Sequence, residues 1–513
     1  MDLTVYLVIS PPCKTPQNGN SNKYSVKLLN MKLYSTLDRK IVEIVPIKKG
    51  QISIYSCGPT VYYRMQIGNI RAYVNWDILH RAFLYLGYSV KRVMNITDVG
   101  HMTSDDAFGS DFGEDKMDKQ AQKEGLQPLD IANKYIDAVL DDFRDLNILA
   151  PNGQIIPKDL NHEEVGKYGF SRATEYVEEM INMIKKIEKN GYTYETKQAL
   201  YFDVTKINDY TIFTGQSLDE KNIGVREEVD VDHEKKNPAD FVLWMKRYGK
   251  YKNHIMNWDS PWGNGFPGWH IECSAMSTSL LGEYFDIHTG GVDHIPVHHT
   301  NERAQNIGAF NHPVVKYWVH NEWVVNKDDS VLSKSKGNTT YLPDLVNLGF
   351  DPMDIRYFLL SINYRTRIQF SIEALEGAKK AREALVRRLR ELGDSKGNVI
   401  PEYIDRFKKE LEDNLNMSGV LALINELLKE DFPKKDILAT ILDFDKILAL
   451  DLEHAITKEE VTELPPDVKA LLEKRMLAKQ EKNYEEADEI RSRIEKMGYK
   501  VLDTPKGQKL EQV

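Results

Sequence analysis

Three cysteines in 513 residues, Cys13, Cys57 and Cys273, are too few and too scattered for a disulfide framework. No two of them form a C-x-x-C pair. A reducing, cytoplasmic setting is the expectation. Long apolar runs are missing as well, and none approaches the roughly 20 residues that span a bilayer. No membrane partner is expected. The opening MDLTVYLVIS lacks a basic n-region and a convincing cleavage site, which argues against a signal peptide. A surplus of basic residues is also absent, and the formal net charge is −10. That balance disfavours indiscriminate nucleic-acid binding but leaves room for a local basic face. Candidates are Lys379-Lys380, Arg387-Arg388-Arg390 and Lys474-Arg475-Lys479-Lys482. Each, taken alone, reads first as a solvated helix surface.

What is present suits a folded protein of two to four domains, with 41% hydrophobic residues and no disorder signature. KTPQNGNSNK (Lys14–Lys23) is a polar, turn-rich tract, and Met31 reads as a natural domain start. QISIYSC (Gln51–Cys57) alternates like a strand. Ile70 to Gly87 has helical spacing, and VKRVMNIT (Val90–Thr97) reads as a second strand. Such a strand–helix–strand unit begins an open parallel sheet, which binds ligands beyond the carboxyl ends of its strands. Cys57 and Thr97-Asp98 lie at those ends. The acidic loop Thr103–Lys116 lacks calcium-loop spacing. Leu129–Leu146 is an amphipathic helix. Residues 151–235 interrupt the sheet, which is expected to resume near DFVLW (Asp240–Trp244) and YFDIHTGG (Tyr284–Gly291). Beyond 372 the chain reads as helical, with a linker at LPPD, a helical hairpin and a short extended tail.

Two places carry candidate chemistry. HHTNERAQ sets His298 and Glu302 four apart, on one helical face. With Cys57, and with Cys273 in GWHIECSAM, they offer a thiolate, imidazole and carboxylate set for one Zn²⁺. Spacing alone leaves open two buried cysteines and an unrelated exposed His/Glu pair. In VLSKSKGN, Lys334 between two serines suits a loop that brings an ammonium to phosphates; an ordinary basic turn reads the same way. Gly58-Pro59 and Gly68 in CGPTVYYRMQIGN suggest a phosphate-binding turn at the head of a helix.

In their common order, CGPTVYY, QIGN.R.Y, NITD, DSPWG.G.PGWHIECSAMS, DIH.GG.DH, HH.NE.AQ and LSKSKGN resemble the cysteinyl-tRNA synthetases, class I aminoacyl-tRNA ligases. The likeness runs from about Met31 to the C-terminus, where NYEEADEIRSRIEKMGYKVLDTPKG is similar to the family's tail. The resemblance implies an α/β protein with a Rossmann-like parallel-sheet catalytic domain in two halves (31–150 and 236–335). They are split by an insertion at 151–235 and preceded by an extension at 1–30, expected to be disordered. A stem-contact-like segment at 336–372, a helical bundle at 373–463 and a small α+β anticodon-binding domain at 464–513 follow. It implies Cys57, Cys273, His298 and Glu302 as ligands of one Zn²⁺ per chain, with His299 the adjacent alternative. It places Thr97 and Trp269 in the substrate pocket. Gly58, Gly68, Gly291 and Asp293 fall on the ATP side, and Gln66, Asn69 and Lys334 at the reacting phosphates. L-cysteine, ATP with Mg²⁺ and the cysteine tRNA are the implied partners of a monomer. The zinc would take the substrate thiolate directly, so serine is rejected without editing.

Two signatures depart from the family. The usual His-Ile-Gly-His is Gln66-Ile67-Gly68-Asn69, so a donor able to carry charge is replaced by a neutral amide. Lys-Met-Ser-Lys-Ser reads Val331-Leu332-Ser333-Lys334-Ser335, without its first lysine. Lys336 and His101 are candidate substitutes. These departures keep two other readings in view: a related cysteine ligase acting on an amino-sugar, and a weakened paralogue that holds zinc and tRNA without activating cysteine. The sugar ligase lacks an anticodon-binding end, whereas here about 110 residues follow position 400.

Overall fold

The computed structural model describes residues 31–99, 115–215, 232–326, 340–393, 395, 397–457, 465–480, 483–504 and 507–512. The extension at 1–30, nearly all of the acidic loop, His101, Lys334 and Lys336 lie outside these residues. A short antiparallel hairpin, β1 (Lys32–Ser35) and β2 (Lys40–Glu43), leads into β3 (Gln51–Ser56). Then come α1 (Ile67–Tyr85) and β4 (Ser89–Ile96), as the hydrophobic periodicity predicts. β3 and β4 are parallel, with Gln51 opposite Ser89 and Ser56 opposite Met94. Parallel neighbours need a crossover, and α1 is that crossover.

Helices α2 (Lys116–Glu124) and α3 (Pro128–Asp145) precede β5 (Phe170–Arg172), which pairs in parallel with β4. After α4 (Val177–Lys189) the chain forms a second sheet, antiparallel throughout. Its strands are β6 (Thr193–Glu195), β7 (Ala199–Phe202), β8 (Phe241–Lys246) and β9 (Gly265–Pro267). DFVLW therefore does not resume the parallel sheet. The five buried residues of β8, Phe241 to Met245, are apolar on both faces, and such a run fits either kind of sheet. The parallel sheet resumes only after α5 (Trp269–Leu281), with β10 (Phe285–Gly291), α6 (His298–Phe310) and β11 (Val315–Asn321). The strand order is β11-β10-β3-β4-β5. Connections leave in opposite directions on either side of the β10/β3 seam, which opens a crevice at the strands' carboxyl ends.

A two-residue parallel pair, β12 (Val324–Val325) with β13 (Ile368–Gln369), lies beyond this sheet. From Ile372 onward the described residues form helices up to Lys496. The expected extended tail forms an antiparallel hairpin, β14 (Tyr499–Thr504) with β15 (Gly507–Gln512), which joins the helices before it in an α+β end. Among the described residues no helix is long and apolar enough to cross a membrane.

α1 is buried on nearly every side, polar residues included, because it lies between the parallel sheet and the helical region. Its Asp77 has no exposed side-chain surface, and it accepts from Arg81 (2.8 Å), Arg356 (2.6 Å) and the Leu149 amide (2.9 Å). Arg356 donates onward to the carbonyls of Leu146 and Leu448, so one buried ion group ties α1 to the helical region. Burial alone would raise the Asp77 pKa, but the two guanidiniums outweigh it and hold it at about 2. The sign follows: a depressed folded pKa stabilises above pH 4 and loses that contribution as pH falls through about 2. Asp77→Asn should cost about 2 kcal/mol at pH 7 and nearly nothing extra near pH 2, measured by urea unfolding across pH.

Candidate active site

β3 ends at Ser56, so Cys57 is the first residue beyond its carboxyl end, beside the seam with β10. The thiol is 3.2 Å from His299 Nε2 and 4.0 Å from Glu302 Oε1. His298 and Glu302 stand one turn apart on α6, with Nε2 and Oε1 3.0 Å apart, as i, i+4 spacing requires. One ligand atom each from Cys57, His298, His299 and Glu302 lies within 4.8 Å of every other, and all four residues are buried. The alternative of an exposed His/Glu pair is therefore excluded. Cys273, in the first turns of α5, is a close electrostatic neighbour of Cys57 and of His298. The five side chains are thus brought together from one strand end and two helices.

A second layer of histidines surrounds them. His288 on β10 places Nε2 2.8 Å from the far oxygen of Glu302. His298 Nδ1 faces His270 Nδ1 at 2.9 Å, and His299 Nδ1 faces His320 Nε2 at 2.6 Å. His320 reaches Thr36 Oγ1 at 2.7 Å. Each inner ring thereby has one nitrogen engaged from outside while Nε2 points into the cluster, which is how metal-ligating imidazoles are oriented. His294, half-buried, packs its ring 5.1 Å from both His298 and His299. None of these outer histidines was marked by spacing. His270 and His288 do lie inside the strings GWHIECSAM and DIHTGG, and only the fold shows where they point.

The charges within the cluster are mutually adjusted. Burial would raise the Glu302 pKa, yet His288 and His298 hold it well below the usual carboxylate range. Burial would lower His298, yet Glu302 and Cys273 lift it to about 10. The thiol pair splits: burial and the neighbouring Cys273 push Cys57 up, while Cys57 and His298 bring Cys273 down to about 6 against its burial. A buried carboxylate, a ready thiolate and imidazoles with Nε2 turned inward are a donor set compatible with a divalent metal.

The remaining predicted residues sit around this cluster. Trp269, first in α5, stacks on His298 with centroids 4.3 Å apart. Thr97, beyond β4, donates from Oγ1 to Glu272 (3.2 Å) and accepts from Asn95 (3.0 Å). Gly58 must be glycine, since a Cβ there would stand 1.7 Å from the Asn95 carbonyl oxygen. Its N–H donates to Asn95 Oδ1 at 2.7 Å. Gly291 ends β10, and half-exposed Asp293 accepts from Trp323 Nε1 at 3.4 Å. Gln66 caps α1, where its N–H donates to Asn69 Oδ1 at 3.1 Å. That i, i+3 pairing was legible as a cap in the sequence but was read only as lost histidines. Among the described residues a Cβ on Gly68 would meet nothing within 4 Å, so the first turn of α1 is open to them on that side.

Residues 43–380 match the family model for the class I (C) tRNA synthetase catalytic domain, and residues 461–509 that for the cysteinyl-tRNA ligase anticodon binding domain. A cysteine–tRNA ligase of Treponema denticola is 41% identical over 501 residues, spanning 92% of this chain and 97% of that protein. The chain belongs to the cysteine–tRNA ligase family. Cysteine–tRNA ligase 1 of Burkholderia lata is 38% identical over 481 residues, covering 93% of this chain and 96% of its own. Among solved structures, an Agrobacterium radiobacter K84 LeuRS, in a ternary complex with tRNA and LeuAMS, shares the fold. Its TM-score is 0.52 at 12% identity, over 80% of this chain and 85% of that one. The anticodon-domain match within this family member also removes the ground for the amino-sugar ligase reading, which rested on a chain without such an end.

Proposed function

We propose that this protein ligates L-cysteine to its cognate tRNA through a cysteinyl-adenylate. The observation that carries the reading is the buried Cys57, His298, His299 and Glu302 cluster at the β10/β3 crevice, a few residues of chain from the open first turn of α1. Cys57, Cys273, His298 and Glu302 would hold one Zn²⁺, with His299 directing Nε2 at the Cys57 sulfur. A bound zinc supplies a position that takes a thiolate and binds a hydroxyl poorly. Trp269, stacked on His298, and Thr97 shape the pocket that holds the amino acid beside it.

In the first step the cysteine carboxylate attacks the ATP α-phosphate and pyrophosphate leaves. Catalysis there is positioning plus stabilisation of phosphate charge. The α1 N-terminus presents backbone N–H groups and a partial positive charge. Gly68 leaves that turn accessible, and Gly58 lets the chain run close against Asn95. Gln66 and Asn69 contribute amide donors; Asn69 accepts through its oxygen while its NH₂ can still donate. Gly291 and Asp293 lie on the adenosine side, and Lys334 attends the departing pyrophosphate. ATP enters with Mg²⁺. In the second step the tRNA's terminal ribose hydroxyl attacks the acyl carbon and AMP leaves. Residues 464–513 read the anticodon end. The protein acts as a cytoplasmic monomer, in keeping with buried free thiols at Cys57 and Cys273.

Cysteine-dependent exchange of labelled pyrophosphate into ATP, in zinc-loaded protein, tests the first step. Exchange with cysteine and not with serine is the expected outcome. Absence of exchange would leave only the weakened, non-activating paralogue.

A further inference from the structure

Arg71 is the arginine of QIGN.R.Y, and the chemistry above gives it no role. It lies on α1, one turn past the Gln66–Asn69 cap, with no exposed surface. Among the described residues no carboxylate bonds its guanidinium. Instead Nη1 donates to the carbonyls of Glu322 and Trp323, both at 2.7 Å. Nη2 donates to those of Thr366 (2.5 Å), Asn363 (3.2 Å) and Tyr364 (3.4 Å). These carbonyls belong to two separate segments, one entering β12 and the other entering β13. Burial lowers the Arg71 pKa only to about 10, so the fork stays charged at neutral pH.

The same end of α1 makes a second attachment. The Ile67 N–H donates to the Thr340 carbonyl at 3.0 Å, and Gln66 pairs with Tyr341 as an antiparallel bridge. The first turn of α1 is therefore fastened to chain on both sides of residues 327–339: at 322–323 by Arg71, and at 340–341 by its own backbone.

We propose that Arg71 is a positioning residue for adenylate formation, which sets the register of the Gln66–Asn69 turn against the β12/β13 segments. It touches no substrate. A planar fork can serve both segments at once, whereas a lysine offers three donors from one point and can satisfy only one of them. The consequence follows from geometry: a displacement of about 1 Å at a reacting group can cost on the order of 10²-fold in rate. The cysteine end is held separately, by β3, α5 and α6, and should not feel the change.

The inference rests on the adenylate chemistry proposed above, and the test separates the two. Arg71→Lys in the full-length, zinc-loaded protein should lower kcat of cysteine-dependent exchange by about 30- to 100-fold, with KM for cysteine within about threefold of the parent. Zinc content should be unchanged. Arg356→Lys, at an equally buried arginine on the helix Pro352–Leu360 that pairs with Asp77 further along α1, serves as the control, with stability reduced and exchange kept. Hydrogen–deuterium exchange supplies a readout independent of activity: peptides covering 64–72 and 340–346 should lose protection in Arg71→Lys, and those covering 74–85 should not. Exchange kinetics within threefold of the parent, or a loss matched by Arg356→Lys, would overturn the proposal. So would unchanged protection at 64–72 and 340–346. A parent protein silent toward cysteine would count against the function, and the deuterium arm would still decide the register.

Discussion

Cys57→Ser protein should retain less than about a tenth of its zinc after dialysis and should lose cysteine-dependent exchange by on the order of 10³-fold or more. The reasoning starts from the sulfur's place. Cys57 follows the end of β3 at the seam, buried, 3.2 Å from His299 Nε2 and within reach of Cys273. Serine fills the same space but offers a hydroxyl, which remains protonated at neutral pH and is a poor zinc ligand. Two neighbouring variants sharpen the assignment. Cys273→Ser should lose the metal as fully, because its thiol, brought down to about 6, is the readier thiolate of the pair. His299→Ala should weaken zinc binding by about 10- to 100-fold while keeping its stoichiometry at micromolar metal, as expected of a residue that orients the Cys57 ligand. The reverse pattern, with zinc kept in Cys273→Ser and lost in His299→Ala, would make His299 the fourth ligand. Metal analysis by mass spectrometry decides between them without reference to activity.

The second large effect concerns Gln66. Gln66→Ala should lower kcat for exchange by on the order of 10²-fold, the usual consequence of removing one transition-state donor. KM for cysteine should hardly move, because the residue caps α1 on the ATP side of the crevice. Gln66→His should instead raise kcat by up to about tenfold, since a charged donor makes a hydrogen bond roughly twice as strong as a neutral one. If Gln66→His is slower than the parent, the loop has become committed to an amide, and the open turn at Gly68 is then adapted to it.

The first strand–helix–strand unit was legible because its patterns are local: alternation in β3 and helical spacing in α1. The i, i+4 step from His298 to Glu302 was legible for the same reason. What local patterns could not supply was partnership. DFVLW reads as a buried strand wherever it pairs, and only its antiparallel contacts with β7 and β9 remove it from the parallel sheet. The histidines at 270, 288, 294 and 320 lie on four different elements, and the crossover topology alone gathers them. Arg71 was passed over because a buried arginine serving carbonyls leaves no trace in charge pairing. The final tail reads as extended, and only the pairing of β14 with β15 shows that it folds back on itself.

One measurement bears most directly on the account: attachment of labelled cysteine to a cysteine tRNA transcript by the full-length, zinc-loaded protein with ATP and Mg²⁺. The expected result is charging that needs the transcript's 3′-terminal hydroxyl, is abolished in Cys57→Ser, and is not supported by serine. Pyrophosphate exchange without charging, or charging that survives loss of Cys57, would contradict it.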